Sequence, residues 1–315
     1  MYFVSCRKYH ADHYDDWNSF VVRSKNGNFL FHRDYMEYHS DRFLDHSLLF
    51  FDERDRLIAL LPASRHDGEV VSHGGLTYGG VIANAEMTTS VMLGVFEAMI
   101  TALRQDGVSK LLYKAIPHIF HLMPAEEDLY ALFTRHARLY RRDASSAIRL
   151  PERMKFAKGK REGVKKARRA GLEVRESQDF VTFFEIGHAV MRDRHNLRPV
   201  HTAGEMALLA GRFPDNIRLH ASFAGDRMLA GAIVYRFAAA AHLQYMYNSD
   251  EGMGIGALDI VIDHLVNERY AGLGYLSFGV SSERDGRYLN EGLCRQKEMF
   301  GARAVVHDFY EVDIS

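Results

Sequence analysis

A chain of 315 residues, 47% hydrophobic and 26% charged, has the makeup of an ordinary soluble globular protein and is long enough for two domains. Its 40 Lys and Arg against 41 Asp and Glu leave a net charge of −1, so no global charge directs it to nucleic acid, an acidic partner or a membrane surface. Two cysteines, Cys6 and Cys294, exclude a disulfide framework or a four-cysteine zinc site and fit a reducing compartment. No apolar leader follows Met1 and no apolar run approaches the ~20 residues that cross a bilayer, so a cytoplasmic protein without membrane insertion is expected.

In chain order, Leu48 to Phe51 and Leu57 to Pro62 read as strands joined by the polar turn 52–56, a hairpin signal. The stretch Ser72 to Gly80 is too rich in glycine for regular structure. Val91, Val95, Met99 and Leu103 recur at helical spacing within Met87 to Gln105, with Gly107 as a stop. Leu111 to Ile116 follows as a strand ended by Pro117. Basic residues crowd Arg149 to Arg169, a helix closed by Gly171, and the domain boundary is placed at Leu150–Pro151. Leu172 to Arg175 then alternates as a short strand. Helices Phe180 to Arg194 and Ala203 to Arg212 lead into strands Ile217 to Phe223, Met228 to Phe237 and Ala240 to Tyr247. The glycine-punctuated turn 251–256, the amphipathic run Ala257 to Arg269, strand Tyr275 to Gly279, a helix ending at Lys297 to Gly301 and strand Ala302 to Tyr310 complete a mixed α/β pattern. Each half holds a hairpin, a Gly-rich turn, a helix and a further strand in the same order, which suggests a duplication.

Gly252, Gly254 and Gly256 stand between a strand and a helix start. Such a turn either leaves backbone N–H groups bare to cradle a pyrophosphate at the helix N-terminus, or simply makes a tight connection. His242, Gln244 and Met246 fall on one face of the preceding strand, with Leu243, Tyr245 and Tyr247 on the other. His242 and Gln244 are candidates to line a ligand channel, with His242 as a base, or ordinary half-buried residues. Glu283, just past a strand end, is a candidate proton acceptor or a solvated loop acid. Asn290 binds a donor or caps the following helix. His73 and Tyr78, in the loop 73–80, offer hydrogen bonding and stacking to an acceptor, unless that loop is a mobile surface segment. The basic run either neutralises phosphates of an anionic partner or forms a solvated helix face. His118 and His121 have ligand-like spacing, but Pro117 and Pro124 set them in a loop without matched partners, and no metal is expected.

The run 251–256 with its flanking strand and helix resembles the acyl-CoA-binding half of the GNAT superfamily, whose phosphate loop keeps the spacing of Gly254 and Gly256; Glu251 stands where that family carries Gln or Arg. Over nearly the whole chain, Lys165 to Val174, Leu276 to Val280 and Gln296 to Gly301 resemble the Fem-type transferases, which join two GNAT domains in tandem. The resemblance implies two tandem GNAT-like α/β domains packed around a cleft, 1–150 on the acceptor side and 151–315 on the acyl-donor side. It implies acetyl-CoA or another acyl-CoA as donor and an amine acceptor, for instance an amino sugar of a cell-surface polysaccharide precursor. Tyr247, Gly252, Gly254, Ile255, Gly256 and Asn290 would hold the donor, and His73, Tyr78 and Gln244 the acceptor. Lys297 matches the lysine that Fem-type enzymes place beside the reacting carbonyl, where an ammonium stabilises developing negative charge; otherwise it is a lysine favoured near a helix C-terminus. Two alternatives stay open: an aminoacyl-tRNA donor, as in the Fem-type aminoacyltransferases, and a non-catalytic binding module with the same fold.

Overall fold

The computed structural model describes residues 3–194 and 200–314. Its backbone falls into two units: 1–144 with 282–288 and 306–315, and 145–281 with 289–305.

In the first unit, β1 (Val4–Lys8) pairs antiparallel with β2 (Leu48–Asp52), which forms the expected hairpin with β3 (Leu57–Leu61). Asp52 closes that turn by accepting the backbone N–H groups of Arg54 and Arg56 on Oδ1, at 3.0 and 2.9 Å. The strand β4 (Glu69–Val71) runs parallel to β5 (Lys110–Lys114). Between them in sequence lies α1 (Thr89–Gln105), started by the Thr88 side chain capping the Val91 N–H. Its stripe Met92, Val95, Phe96, Met99 and Leu103 is buried against Phe50, Ala59, Leu61, Leu111 and Tyr113. Burying such a stripe on a sheet is the main stabilising term here, at ~25 cal/mol per Å² of apolar surface removed from water.

A strand not anticipated, β6 (Arg138–Arg149), divides its residues between the units at 144–145. The expected boundary at 150–151 would have kept it whole.

In the second unit, α2 (Lys158–Arg169) precedes β7 (Glu173–Ser177), α3 (Phe180–Arg194) and α4 (Ala203–Arg212). An antiparallel run joins β7, β8 (Ile217–Ala224), β9 (Arg227–Arg236) and β10 (Ala240–Asn248). After β10 the chain forms α5 (Asp250–Ile255) and α6 (Ala257–His264), then β11 (Tyr275–Val280) and α7 (Glu291–Glu298). The last strand, β12 (Arg303–Asp313), again contributes to both units, and its Phe309 pairs with Lys114 of β5. Helix α6 packs Leu258, Val261 and Ile262 into a core with Leu229, Ala232, Val234, Leu243 and Leu276. Helix α2 crosses its start closely: a Cβ at Gly256 would lie 2.2 Å from the Gly163 carbonyl oxygen. Gly256 also has φ +78°, so both backbone conformation and contact require glycine there.

Among the described residues no helix is long and apolar enough to cross a membrane, and no group of three or more His, Cys, Asp or Glu is placed to hold a metal ion.

Candidate functional site

Strands β10 and β11 lie parallel but pair over only three positions, Ala240↔Tyr275, Ala241↔Leu276 and His242↔Ser277. Beyond His242, β10 continues to Asn248 against β9 alone. The chain thus opens a gap between two neighbouring strands at the C-terminal end of β11, where backbone polar groups lack their usual sheet partners.

A bulge sits at the mouth of this gap. Ile233 pairs with Tyr245 and Val234 with Leu243, leaving Gln244 as an extra residue. One inserted residue flips every later side chain to the opposite face. The expected alternation is therefore corrected: Leu243 and Met246 share the α6-side core, whereas Tyr245 and Tyr247 pack against Phe184 and Phe183 of α3. His242 does not share a face with Met246.

At the divergence His242 Nδ1 lies 3.1 Å from Ser277 Oγ, which also accepts the Gly279 N–H at 3.3 Å. Gly279 has φ +72°, and a Cβ there would stand 3.3 Å from the His242 ring. Lys297, 3% exposed, reaches from α7 and donates to the carbonyl oxygens of Gly279 at 2.9 Å and Val280 at 2.6 Å. Burial lowers its pKa to about 8. Asn290 caps α7, its Oδ1 accepting the Leu293 N–H at 3.0 Å, while its own N–H donates to Ser281 O at 2.8 Å. Capping is therefore a role it fills. His242, Ser277, Gly279 and Lys297 make one connected set, with the amine held where the strand ends.

The glycine segment is not an open turn. Residues 250–255 form α5, capped by Ser249 Oγ on the Gly252 N–H at 3.1 Å. Met253 N–H donates to Ser249 O and Gly256 N–H to Gly252 O, so these amides are engaged within the helix. The expectation of bare amides across 252–256 is corrected accordingly: a good N-cap and tertiary packing outweigh the helix cost of the glycines. Gly252 is required by contact, since a Cβ there would meet Asn248 Oδ1 at 2.4 Å and Leu229 O at 2.9 Å. Gly254 has nothing within 4 Å of its would-be Cβ, so packing gives no reason for it. Ile255 is partly buried against the α6-side core, and Tyr247 is buried. Glu251 is paired with Arg227 through both carboxylate oxygens, which offsets its charge.

The basic run is largely structural where it meets α6. Lys160 pairs with Asp259 and Arg168 with Asp263, each at 2.8 Å, and Lys166 donates to Gly254 O. Lys155, Lys158, Arg161 and Arg169 remain exposed, in no ion pair within 4.0 Å among the described residues. Arg153, Lys155, Arg161 and Phe156 help line a cavity of about 440 Å³.

Glu283 is exposed and counts among the residues of the first unit, whereas Lys297 and His242 belong to the second. In the first unit the loop 72–80 is no loose surface segment. Its His73 and Tyr78 are buried, His73 takes φ +58°, and Gly79 N–H donates to Lys114 O at 2.9 Å. Tyr78 stacks on Phe120 at 4.9 Å between ring centroids. Sequence reasoning missed Lys114 itself, a buried lysine at the end of β5 whose only signal is its position closing an apolar strand.

No family model and no curated protein matches the chain. Solved structures do. The crystal structure of FemX matches with a TM-score of 0.70 at 9% identity, over 98% of this chain and 97% of that one. L-PGS from Bacillus licheniformis matches with a TM-score of 0.63 at 12% identity, covering 98% and 93%. A tandem GNAT protein from the clavulanic acid biosynthesis pathway matches with a TM-score of 0.52 at 9% identity, covering 99% of each chain. The fold of this chain is the Fem-like tandem GNAT fold.

Proposed function

We propose that this chain is an acyltransferase that moves an acetyl or other short acyl group from acyl-CoA directly to an amine, with the donor held in the second unit. The observation that carries the reading is the divergence of β10 and β11 past His242 and Ser277, with the Lys297 amine fixed at its end.

The residues present fit a thioester carrier: Gly254 leaves open space on an exposed helix, and Arg227 holds the Glu251 charge that would otherwise repel phosphate. When bound, the donor supplies an acyl carbon activated by its sulfur. With a pKa of about 8, Lys297 is mostly protonated at neutral pH. Two of its three N–H groups go to backbone carbonyls, and the third remains to stabilise charge that develops on the donor's carbonyl oxygen. Ser277 fixes the His242 ring through Nδ1, which directs Nε2 to take the proton of the attacking amine. The nitrogen–carbon bond forms as the carbon–sulfur bond breaks, and the sulfur leaves as thiolate. Gln244, the extra residue at the bulge, would contact the acceptor.

An amino sugar of a cell-surface polysaccharide precursor is an acceptor of the right chemistry. Calorimetry with acetyl-CoA, followed by thiol release in the presence of an amine, tests the reading; no heat at millimolar ligand removes this donor. The exposed cations Lys155, Lys158, Arg161 and Arg169 favour a second reading, an aminoacyl-tRNA donor. Binding of charged tRNA that weakens steeply with salt would select it. A burial-depressed lysine at the end of a gap in the sheet weighs against a non-catalytic module.

A further inference from the structure

The first unit buries three cations, and two of them are given acids. Lys25 pairs with Glu127, and Arg33 with Glu37 and Asp45. Lys114 is treated differently. Its Nζ donates to Leu76 O and has no carboxylate partner among the described residues. Two of the three donors of an ammonium are thus left over in a site where an uncompensated charge is costly.

The surroundings of this amine are arranged on one face of β5 and β12. Lys114 pairs across the ladder with Phe309, and His307 lies two residues along the same strand and so on the same face. The Arg141 guanidinium sits 4.6 Å over the Phe309 ring, held there by Asp143 at 2.7 Å and Asp285 at 3.1 Å. Tyr78 meets the His307 ring edge-on at 6.1 Å, and its Oη accepts a hydrogen bond from Asn28 Nδ2 at 3.4 Å. Around the amine, Arg141 of β6 and His73 of the loop 72–80 are near enough to act on its charge, His307 of β12 shares its face of the sheet, and Tyr78 adjoins His307. Arg141 adds positive charge beside Lys114, and Lys114 in turn helps burial hold His73 neutral, with a pKa of about 3. Lys114 keeps 8% of its surface exposed.

We propose that Lys114, with Tyr78 and the Phe309–Arg141 stack beside it, binds the oxyanion of a small-molecule ligand, a phosphate ester or a carboxylate, in the first unit. Such a ligand supplies the negative charge that the fold provides for Lys25 and Arg33 but withholds here. It deepens the expectation that His73 and Tyr78 face an acceptor, and it requires no transfer activity.

The test is a titration of the full chain carrying ¹³Cε-labelled lysine. Without ligand, burial and Arg141 place the Lys114 midpoint at about 7. Saturating inorganic phosphate or acetate, with millimolar affinity, should raise it by about one unit or more, because a bound anion favours the charged amine. A rise with phosphate alone identifies a phosphate ester, and a rise with acetate alone a carboxylate. Lys114→Met should weaken the binding anion at least about tenfold. If neither anion moves the Lys114 resonance, or if the variant binds the anion as well as the parent, the assignment is overturned; should the variant not fold, the resonance decides. Both readouts are made without an acyl donor, so their failure is distinguishable from failure of the transfer reaction.

Discussion

Lys297 gives the sharpest quantitative test. Its amine is depressed from 10.5 to about 8 by burial, so the folded state binds the proton less tightly than the unfolded chain does. The unfolded state therefore holds more protons wherever the pH lies between the two values, and stability rises as the pH climbs through that window. Lys297→Met keeps the stem and removes the titrating group. Between pH ~7 and ~10 the stability of the parent should gain roughly 2–3 kcal/mol relative to the variant, as the amine is depressed from 10.5 to about 8. Taking the difference cancels Lys114, whose amine is likewise depressed, and the buried tyrosines, because they occur in both chains. Urea unfolding at several pH values reads the effect directly. The same protonation governs the rate if the ammonium stabilises the carbonyl oxygen: kcat/KM should fall above pH ~8, and Lys297→Ala should cost on the order of 10²–10³-fold. Parallel stability curves for parent and variant would refute the claim that Lys297 is a desolvated amine, and with it the reason for placing it at the carbonyl.

Three further outcomes follow from the same region. Gly254→Ala should stabilise the chain by about 0.5–1 kcal/mol, as an exposed helix glycine with open space around it, yet weaken donor binding; paired urea and calorimetric measurements check both, and unchanged affinity would show that no donor approaches there. Gly256→Ala should instead destabilise by about 2 kcal/mol or more, since it combines φ +78° with a 2.2 Å approach to Gly163 O, and urea midpoints read it. His242→Gln should lower kcat on the order of 10²-fold with donor affinity by calorimetry unchanged, whereas a purely structural histidine would leave kcat intact.

Much of the fold was legible because its periodicity is strong. The hairpin at 48–61, the stripe of α1 and the run of strands from 217 to 248 follow from apolar spacing and turn residues alone. The failures have identifiable causes. Strand β6 reads RLYRRDASSAIR, and its arginines are satisfied by ion pairs, Arg141 with Asp143 and Arg142 with Asp308, not by apolar alternation. Helix α5 was hidden by three glycines in seven residues, two of which are demanded by contacts distant in sequence. The Gln244 bulge leaves no local trace, and it reassigns the faces of every residue after it. For the site, the resemblance of 296–301 to the Fem-type transferases pointed to Lys297, while Lys114 carries no such resemblance.

The two lysines bear on how the chain came to have two units. In each unit a hairpin, a helix and a strand follow one another, 48–61 with α1 and β5 in the first, 217–236 with α6 and β11 in the second. Each of those final strands ends beside a buried amine bonded to backbone carbonyls and to no carboxylate among the described residues. The lysines are not equivalent in sequence, however: Lys114 lies on β5 itself, whereas Lys297 reaches β11 from the following helix. A duplicated scaffold explains the shared strand end, where sheet pairing runs out and polar groups can be offered to a ligand. It does not explain the shared choice of an unpaired amine, because two different elements supply it. Stability argues against burying such a charge twice, and under the proposals above a bound group would offset that cost in each unit.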